Sequence, residues 1–198
     1  VPLRSGLALP KDYVVFHTHC HIPEDMLAEA AATLRTLAQE GRQIVLLPLA
    51  YTHADEEVCR KLKAYPGCEQ FITFDRHLTM EEMIAVLAGC TLYIGVSFHG
   101  AITAFAYGRQ VIALDFFHYR KTQAVFRIMQ ESGHYLNDAH RLAELSHAAL
   151  AAPPREDKVL SGLQSEIDAL YTEMLALLRS SKPKAGREAL YDYITAVH

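Results

Sequence analysis

Thr91-Leu-Tyr-Ile-Gly-Val-Ser-Phe-His-Gly-Ala-Ile-Thr-Ala-Phe-Ala-Tyr-Gly-Arg-Gln-Val-Ile-Ala-Leu114 is the stretch that decides the fold. Its first six residues, Thr91 to Val96, read as a buried strand. A tight polar turn follows from Ser97 to Gly100, then a small-residue helix from Ala101 to Tyr107. Gly108 breaks the helix, and Val111 to Leu114 reads as a second buried strand. Strand, turn, helix and strand in this order make a βαβ unit. Ser97 and His99 then fall at the carboxyl end of a parallel strand, where open α/β sheets bind their ligands. A histidine near a helix start also meets anions, because the N–H groups of the first turn attract negative charge.

The same alternation extends on both sides. Tyr13 to His17 is a short apolar run and reads as strand one. Pro23-Glu-Asp opens a helix with acids in its first turn, matching the helix dipole, and Gly41 ends it. Gln43 to Leu49 is apolar almost throughout, as expected of a parallel strand covered on both faces. A polar turn from Tyr51 to Asp55 leads into a helix over 56–63, and Phe71 to Phe74 reads as a third short strand. Thr79 and Glu82 have the spacing of a capping box, which opens a helix ending near Gly89. Beyond Leu114 an aromatic and basic loop, Asp115 to Lys121, precedes a helix from about Thr122 to Glu131. His134 to Leu136 reads as a sixth strand, and Asp138 as the cap of a helix to Leu150. These elements argue for a Rossmann-like, doubly wound, mostly parallel sheet of five or six strands.

Ala151-Ala-Pro-Pro154 is the clearest linker. It divides an α/β domain over 1–152 from a helical appendage over 153–198. In the appendage Leu160, Leu163, Ile167, Leu170, Met174 and Leu177 mark one face of a long amphipathic helix. Lys182 to Gly186 interrupts it, and Ala189 to Val197 reads as a final helical piece.

Composition narrows the function. The chain has 198 residues, 51% hydrophobic and 21% charged, with a net charge of −4. That suits one globular domain with an addition, and no basic block marks a nucleic-acid footprint. The cysteines Cys20, Cys59, Cys68 and Cys90 show no CxxC pairing and read as reduced thiols of a cytoplasmic protein. Val1 to Pro10 holds no long apolar run, so no signal peptide is expected, and no segment reaches the length of a membrane span. Both the GxGxxG fingerprint and the Walker A loop are absent.

The block Glu81-Glu-Met-Ile-Ala-Val-Leu-Ala-Gly-Cys-Thr-Leu-Tyr-Ile-Gly-Val-Ser-Phe-His-Gly-Ala-Ile-Thr-Ala-Phe-Ala-Tyr-Gly108, followed by Tyr119-Arg-Lys121, resembles the polysaccharide pyruvyl transferases. Ile44 to Pro48, with Asp55 beyond it, is also similar to that family, and the likeness covers roughly residues 13–130. The resemblance implies one half of a glycosyltransferase-B-like architecture, with two Rossmann-like halves facing a cleft. It implies transfer of a pyruvyl group from phosphoenolpyruvate to hydroxyls of a cell-surface glycan or a lipid-linked sugar, forming a ketal without a further cofactor. Such a reaction is expected in the cytoplasm or at the inner face of the membrane. The family's catalytic histidine falls on His99. Ser97 departs from the pattern, since many members carry Arg there. The other half, with much of the acceptor site, is expected outside this chain, which begins at Val1. A homo-oligomer is the alternative partner.

Single residues carry competing readings. His99 has the proton chemistry that ketal formation needs, because imidazole titrates near neutral pH. Ser97 either binds an anion or caps a helix. Gly100 either admits a ligand to the backbone or serves the turn. Lys121 and Arg120 either neutralise a phosphate or sit solvated. His17 and His19 lie at a strand end and either contact the donor or belong to an incidental polar loop, and His53 beside Asp55, on the same rim after strand two, carries the same two readings. The pattern His17-Thr-His19 also opens metal-dependent amidohydrolases. That barrel needs about 250 residues and further ligands, so no metal site is expected. Two other functions remain open: a glycosyltransferase using a nucleotide sugar, and a non-catalytic module that binds glycan or a partner.

Overall fold

The computed structural model describes residues 7–153 and 157–179. The chain divides into two compact units, Val1–Arg155 and Glu156–His198. The first unit runs β1 (Tyr13–His17), α1 (Glu24–Gln39), β2 (Gln43–Leu46), α2 (Asp55–Lys63), α3 (Met80–Gly89), β3 (Leu92–Gly95), α4 (Phe98–Ala106), β4 (Gln110–Leu114), α5 (Arg120–Ile128), β5 (Tyr135–Leu136) and α6 (Leu142–Ala151). The described part of the second unit is a single helix, α7 (Asp157–Arg179). Ile167, Tyr171, Leu175 and Leu178 stay exposed on it. The proposed interruption at Lys182–Gly186 and the last helical piece lie outside the described residues.

The five strands are all parallel, in the order β2-β1-β3-β4-β5. β1 and β3 are buried from end to end, so neither face can be polar. Alternation divides their side chains between two cores. Val14, Phe16, Leu92 and Ile94 join Leu27, Leu34 and Leu37 of α1, Val58 and Leu62 of α2, and Leu142 and Leu145 of α6 in one cluster. The opposite face carries Tyr13, Val15 and Tyr93. There Tyr13 donates from its hydroxyl to the Val86 carbonyl of α3 at 2.7 Å. The sheet is thus covered on both sides, which is the doubly wound arrangement.

Several boundaries differ from the sequence reading. Phe71–Phe74 makes a single parallel bridge, Ile72 to Val45, and not a strand. Ile72 exchanges bonds with Ile44 and Leu46, but only Phe71 of the segment is buried, too little apolar surface to hold a longer ladder. α4 begins at Phe98, three residues before the expected start. α5 likewise begins at Arg120, so Arg120 and Lys121 lie in a helical first turn and not in a loop. Asp138 does not cap α6. Its carboxylate accepts from His140 N in a local turn, and the helix starts at Leu142. The capping box at Thr79 and Glu82 is present with both of its bonds.

Candidate functional site

β1 is flanked by β2 on one side and β3 on the other. The chain leaves β1 toward the α1 face and leaves β3 toward the α4 face, so the two exits diverge. This divergence opens a crevice at the carboxyl edge, the usual ligand position in such sheets. A cavity of about 440 Å³ occupies it, and His17, His19, His53, Ser97, His99, Gly100 and Lys121 all line it. Arg120 is exposed and is not part of the lining. Six of the seven proposed donor contacts therefore meet around His99.

The wall formed by the β3–α4 turn follows from sterics and capping. Ser97 is the N-cap of α4, and its hydroxyl accepts from Gly100 N at 3.2 Å. Gly100 is buried. A Cβ there would lie 2.5 Å from the Tyr93 hydroxyl and 2.9 Å from Leu49 Cδ1. Gly95 is tighter still toward backbone, because a Cβ would come within 2.7 Å of the His17 carbonyl. Tyr93 fills the space both glycines leave, and its hydroxyl donates to Ser97 O at 3.2 Å. Gly100 thus makes room for a core tyrosine. His99, one residue earlier in the first helical turn, is exposed at the cavity with its ring edge-on to Phe98.

The opposite wall is the β1–α1 turn. His17 is buried at 6% exposure, with Nδ1 3.0 Å from the Leu47 carbonyl and 3.8 Å from Asp55 Oδ2. A carbonyl only accepts, so Nδ1 carries the proton and Nε2 keeps a lone pair. Burial holds the His17 pKa below the ordinary histidine value, against the pull of Asp55. Asp55 itself is 1% exposed. One carboxylate oxygen accepts from Leu49 N at 3.2 Å and Ala50 N at 2.8 Å, while Oδ1 is buried with no partner. His19 stacks on His21 and meets the rings of His53 and Phe117 edge-on. Burial, then the neighbouring His21, pushes the His19 pKa down.

Lys121 completes the rim. Its ammonium lies 5.5 Å from the centres of both the Phe98 and Tyr119 rings, a cation–π clamp. Among the described residues no carboxylate forms an ion pair with it. Asp115, expected near the pocket, is buried and organises the loop below. It accepts from Phe117 N, Tyr119 N and the Tyr135 hydroxyl, which turns Phe117 and Tyr119 into the cavity wall. The apolar floor was not singled out from sequence. Met80, Met83, Ile84 and Leu87 of α3 supply it, and their i, i+3, i+4, i+7 spacing was the available signal.

The sheet order and the position of the cavity define a Rossmann-like α/β protein with its ligand crevice at the switch point. A family model described as polysaccharide pyruvyl transferase matches residues 5–116. That is more than half of the chain, which therefore belongs to this family. A comparison with curated proteins matches none of them. Among solved structures, UDP-GlcNAc 2-epimerase of Methanocaldococcus jannaschii, in complex with UDP-GlcNAc and UDP, is similar at 12% identity and a TM-score of 0.52. The match covers 72% of this chain and 40% of that one. Heptosyltransferase WaaC of E. coli with ADP is similar at 23% identity and a TM-score of 0.41, over 51% of this chain and 32% of that chain. The C-terminal CMP-Kdo binding domain of WaaA from Acinetobacter baumannii gives 16% identity and a TM-score of 0.49, over 71% and 81% of the two chains. The chain thus spans 40% of the length of the epimerase and 32% of that of the heptosyltransferase. The epimerase likeness supports the fold. No helix among the described residues is long and apolar enough to cross a membrane.

Proposed function

We propose that the cavity is the donor site for transfer of a pyruvyl group from phosphoenolpyruvate to two hydroxyls of a sugar, forming a pyruvate ketal. The observation that carries this reading is the convergence of His99, Lys121 and the start of α4 on one crevice in a chain of this family. Phosphoenolpyruvate is a small trianion. It needs fixed positive potential and one group able to pass a proton. In the first turn of α4 the Gly100 N–H is taken by Ser97 Oγ, which leaves the N–H groups of Phe98 and His99 to meet an anion. Lys121 adds a full charge. Ser97 Oγ is already engaged with Gly100 N, so the charge that Arg supplies in other members falls here to Lys121.

The chemistry adds one sugar hydroxyl to C2 of the enol while C3 takes a proton and becomes a methyl. Phosphate then leaves with the C2–O bond electrons, and the second hydroxyl closes the ketal. Two hydroxyl protons are released; one balances the methyl and the other leaves with phosphate or solvent. His99, exposed at the rim, is the group we assign to deliver the proton to C3 or to receive the hydroxyl proton. His17 is held neutral and buried, which suits an acceptor lone pair beneath the donor and not a proton source. His19 and His53 line the same wall as further donor contacts.

Calorimetric titration of the chain with phosphoenolpyruvate tests this reading, with a uridine diphosphate sugar as the competing probe. Saturable phosphoenolpyruvate binding is expected, weakened roughly tenfold in Lys121→Ala and in His99→Ala, the loss of one charge-assisted contact each. Binding of the nucleotide sugar alone overturns the reading in favour of a glycosyltransferase.

A further inference from the structure

We propose that His19, Cys20 and His21 form an open binding site for a zinc-like divalent transition-metal ion at the rim of the crevice. The proposal stands on the geometry of the β1–α1 turn and does not depend on the donor assigned above. Ile22 N donates to His19 O at 3.0 Å, closing a tight turn with Cys20 and His21 at its centre. The turn curls three consecutive side chains toward one point. His19 Nδ1 and His21 Nδ1 lie 3.0 Å apart, and Cys20 Sγ is 3.6 Å from each.

These separations match one face of a coordination tetrahedron. Zinc bonds of about 2.0 Å to nitrogen and 2.3 Å to sulfur place tetrahedral ligand atoms about 3.3 Å apart for two nitrogens and about 3.5 Å for nitrogen and sulfur. Two imidazole nitrogens at 3.0 Å need a proton or a cation between them, since two lone pairs repel; an Nδ1–H of His21 donating to His19 Nδ1 supplies the proton in the metal-free turn, and a metal ion would take its place. His19 Nδ1 also accepts from His21 N at 3.2 Å, so its single lone pair faces into the turn and a bound ion would replace that contact.

The donor set defines the ion. Two imidazoles and a thiolate suit zinc, cobalt or copper and disfavour magnesium and calcium, which take oxygen ligands. Three protein ligands leave a fourth position. His19 lines the cavity and its ring meets that of His53, so the site adjoins the crevice. A water or an anionic oxygen of a bound molecule is the chemical class that would complete it.

Cobalt(II) titration of the chain, free of any affinity tag and without phosphoenolpyruvate, tests the site. One equivalent is expected to bind, with visible bands of four-coordinate cobalt and a sulfur-to-cobalt charge-transfer band in the near ultraviolet. Cys20→Ser should abolish the charge-transfer band, and His21→Ala should weaken binding at least roughly tenfold. His140→Ala, whose ring pairs with Glu29 on the surface, should leave both unchanged. Cobalt binding without the sulfur band, or affinity in Cys20→Ser and His21→Ala equal to that of the unsubstituted chain, overturns the proposal. Circular dichroism of each variant separates loss of the site from loss of the fold. A negative result here leaves the phosphoenolpyruvate titration untouched, and the reverse also holds.

Discussion

The two turns that wall the crevice are built on opposite principles. In the β3–α4 turn the hydroxyls of Ser97 and Tyr93 both have local structural partners. Ser97 caps Gly100, the Tyr93 hydroxyl meets Ser97 O, and two glycines clear space for that ring. His99 is then presented from a rigid frame. In the β1–α1 turn Pro23 stands at the N-cap of α1 with no side-chain cap bond, and the Thr18 hydroxyl is buried without a partner. Three imidazoles and a thiol crowd its rim. The comparison teaches that a recognisable motif can consist largely of scaffold. Unspent polar capacity, where it occurs, is the better pointer to what a site does.

Substitution of the glycines probes the scaffold most severely. Gly95→Ala should cost about 2–3 kcal/mol, because its methyl meets backbone that cannot step aside. Thermal denaturation would show the drop. Gly100→Ala should cost somewhat less, and adding Tyr93→Phe should recover part of the loss, since the nearest clash is with the tyrosine hydroxyl. Unchanged stability in both would mean that the turn is softer than its packing indicates. Ser97→Ala should lose about 1 kcal/mol through the missing cap, measured by chemical denaturation. If phosphoenolpyruvate affinity collapsed with stability intact, Ser97 would belong to the site more than to the scaffold.

The other turn responds to acid. His17 has a pKa below 6.5 in the folded chain, mainly through burial, so the unfolded chain binds more protons between the two values. Its contribution to stability is complete above pH 6.5 and declines as pH falls toward the folded value. Denaturation midpoints should drop over that window. His17→Asn, which keeps a donor for the Leu47 carbonyl and does not titrate, should flatten that part of the profile. An unchanged slope would assign the acid sensitivity elsewhere.

The order of elements, the parallel sheet and the position of His99 were legible because they rest on local signals. Apolar runs of strand length, Gly41 and Gly108 as breaks, and the Thr79–Glu82 box act within a few residues. Helix starts were less legible. Phe98 and Arg120 enter their helices earlier than propensity indicates, because neighbouring packing and the Asp115 turn set where the chain can coil. Asp55 illustrates the limit. Its spacing placed it after strand two beside His53. Only the fold shows it buried against Leu49 and Ala50, with one oxygen left over in the crevice wall.

By itself the amino-acid sequence determined a Rossmann-like chain of this family with a polar strand edge, since hydrophobic period and turn chemistry are local and survive without tertiary information. Tertiary structure decided the rest. It brought His17, His53 and Lys121 around His99 from separate segments, set Gly100 against Tyr93, and folded His19, Cys20 and His21 onto one point. Those outcomes depend on which side chains share a few ångströms of space, a quantity that separation along the chain does not encode.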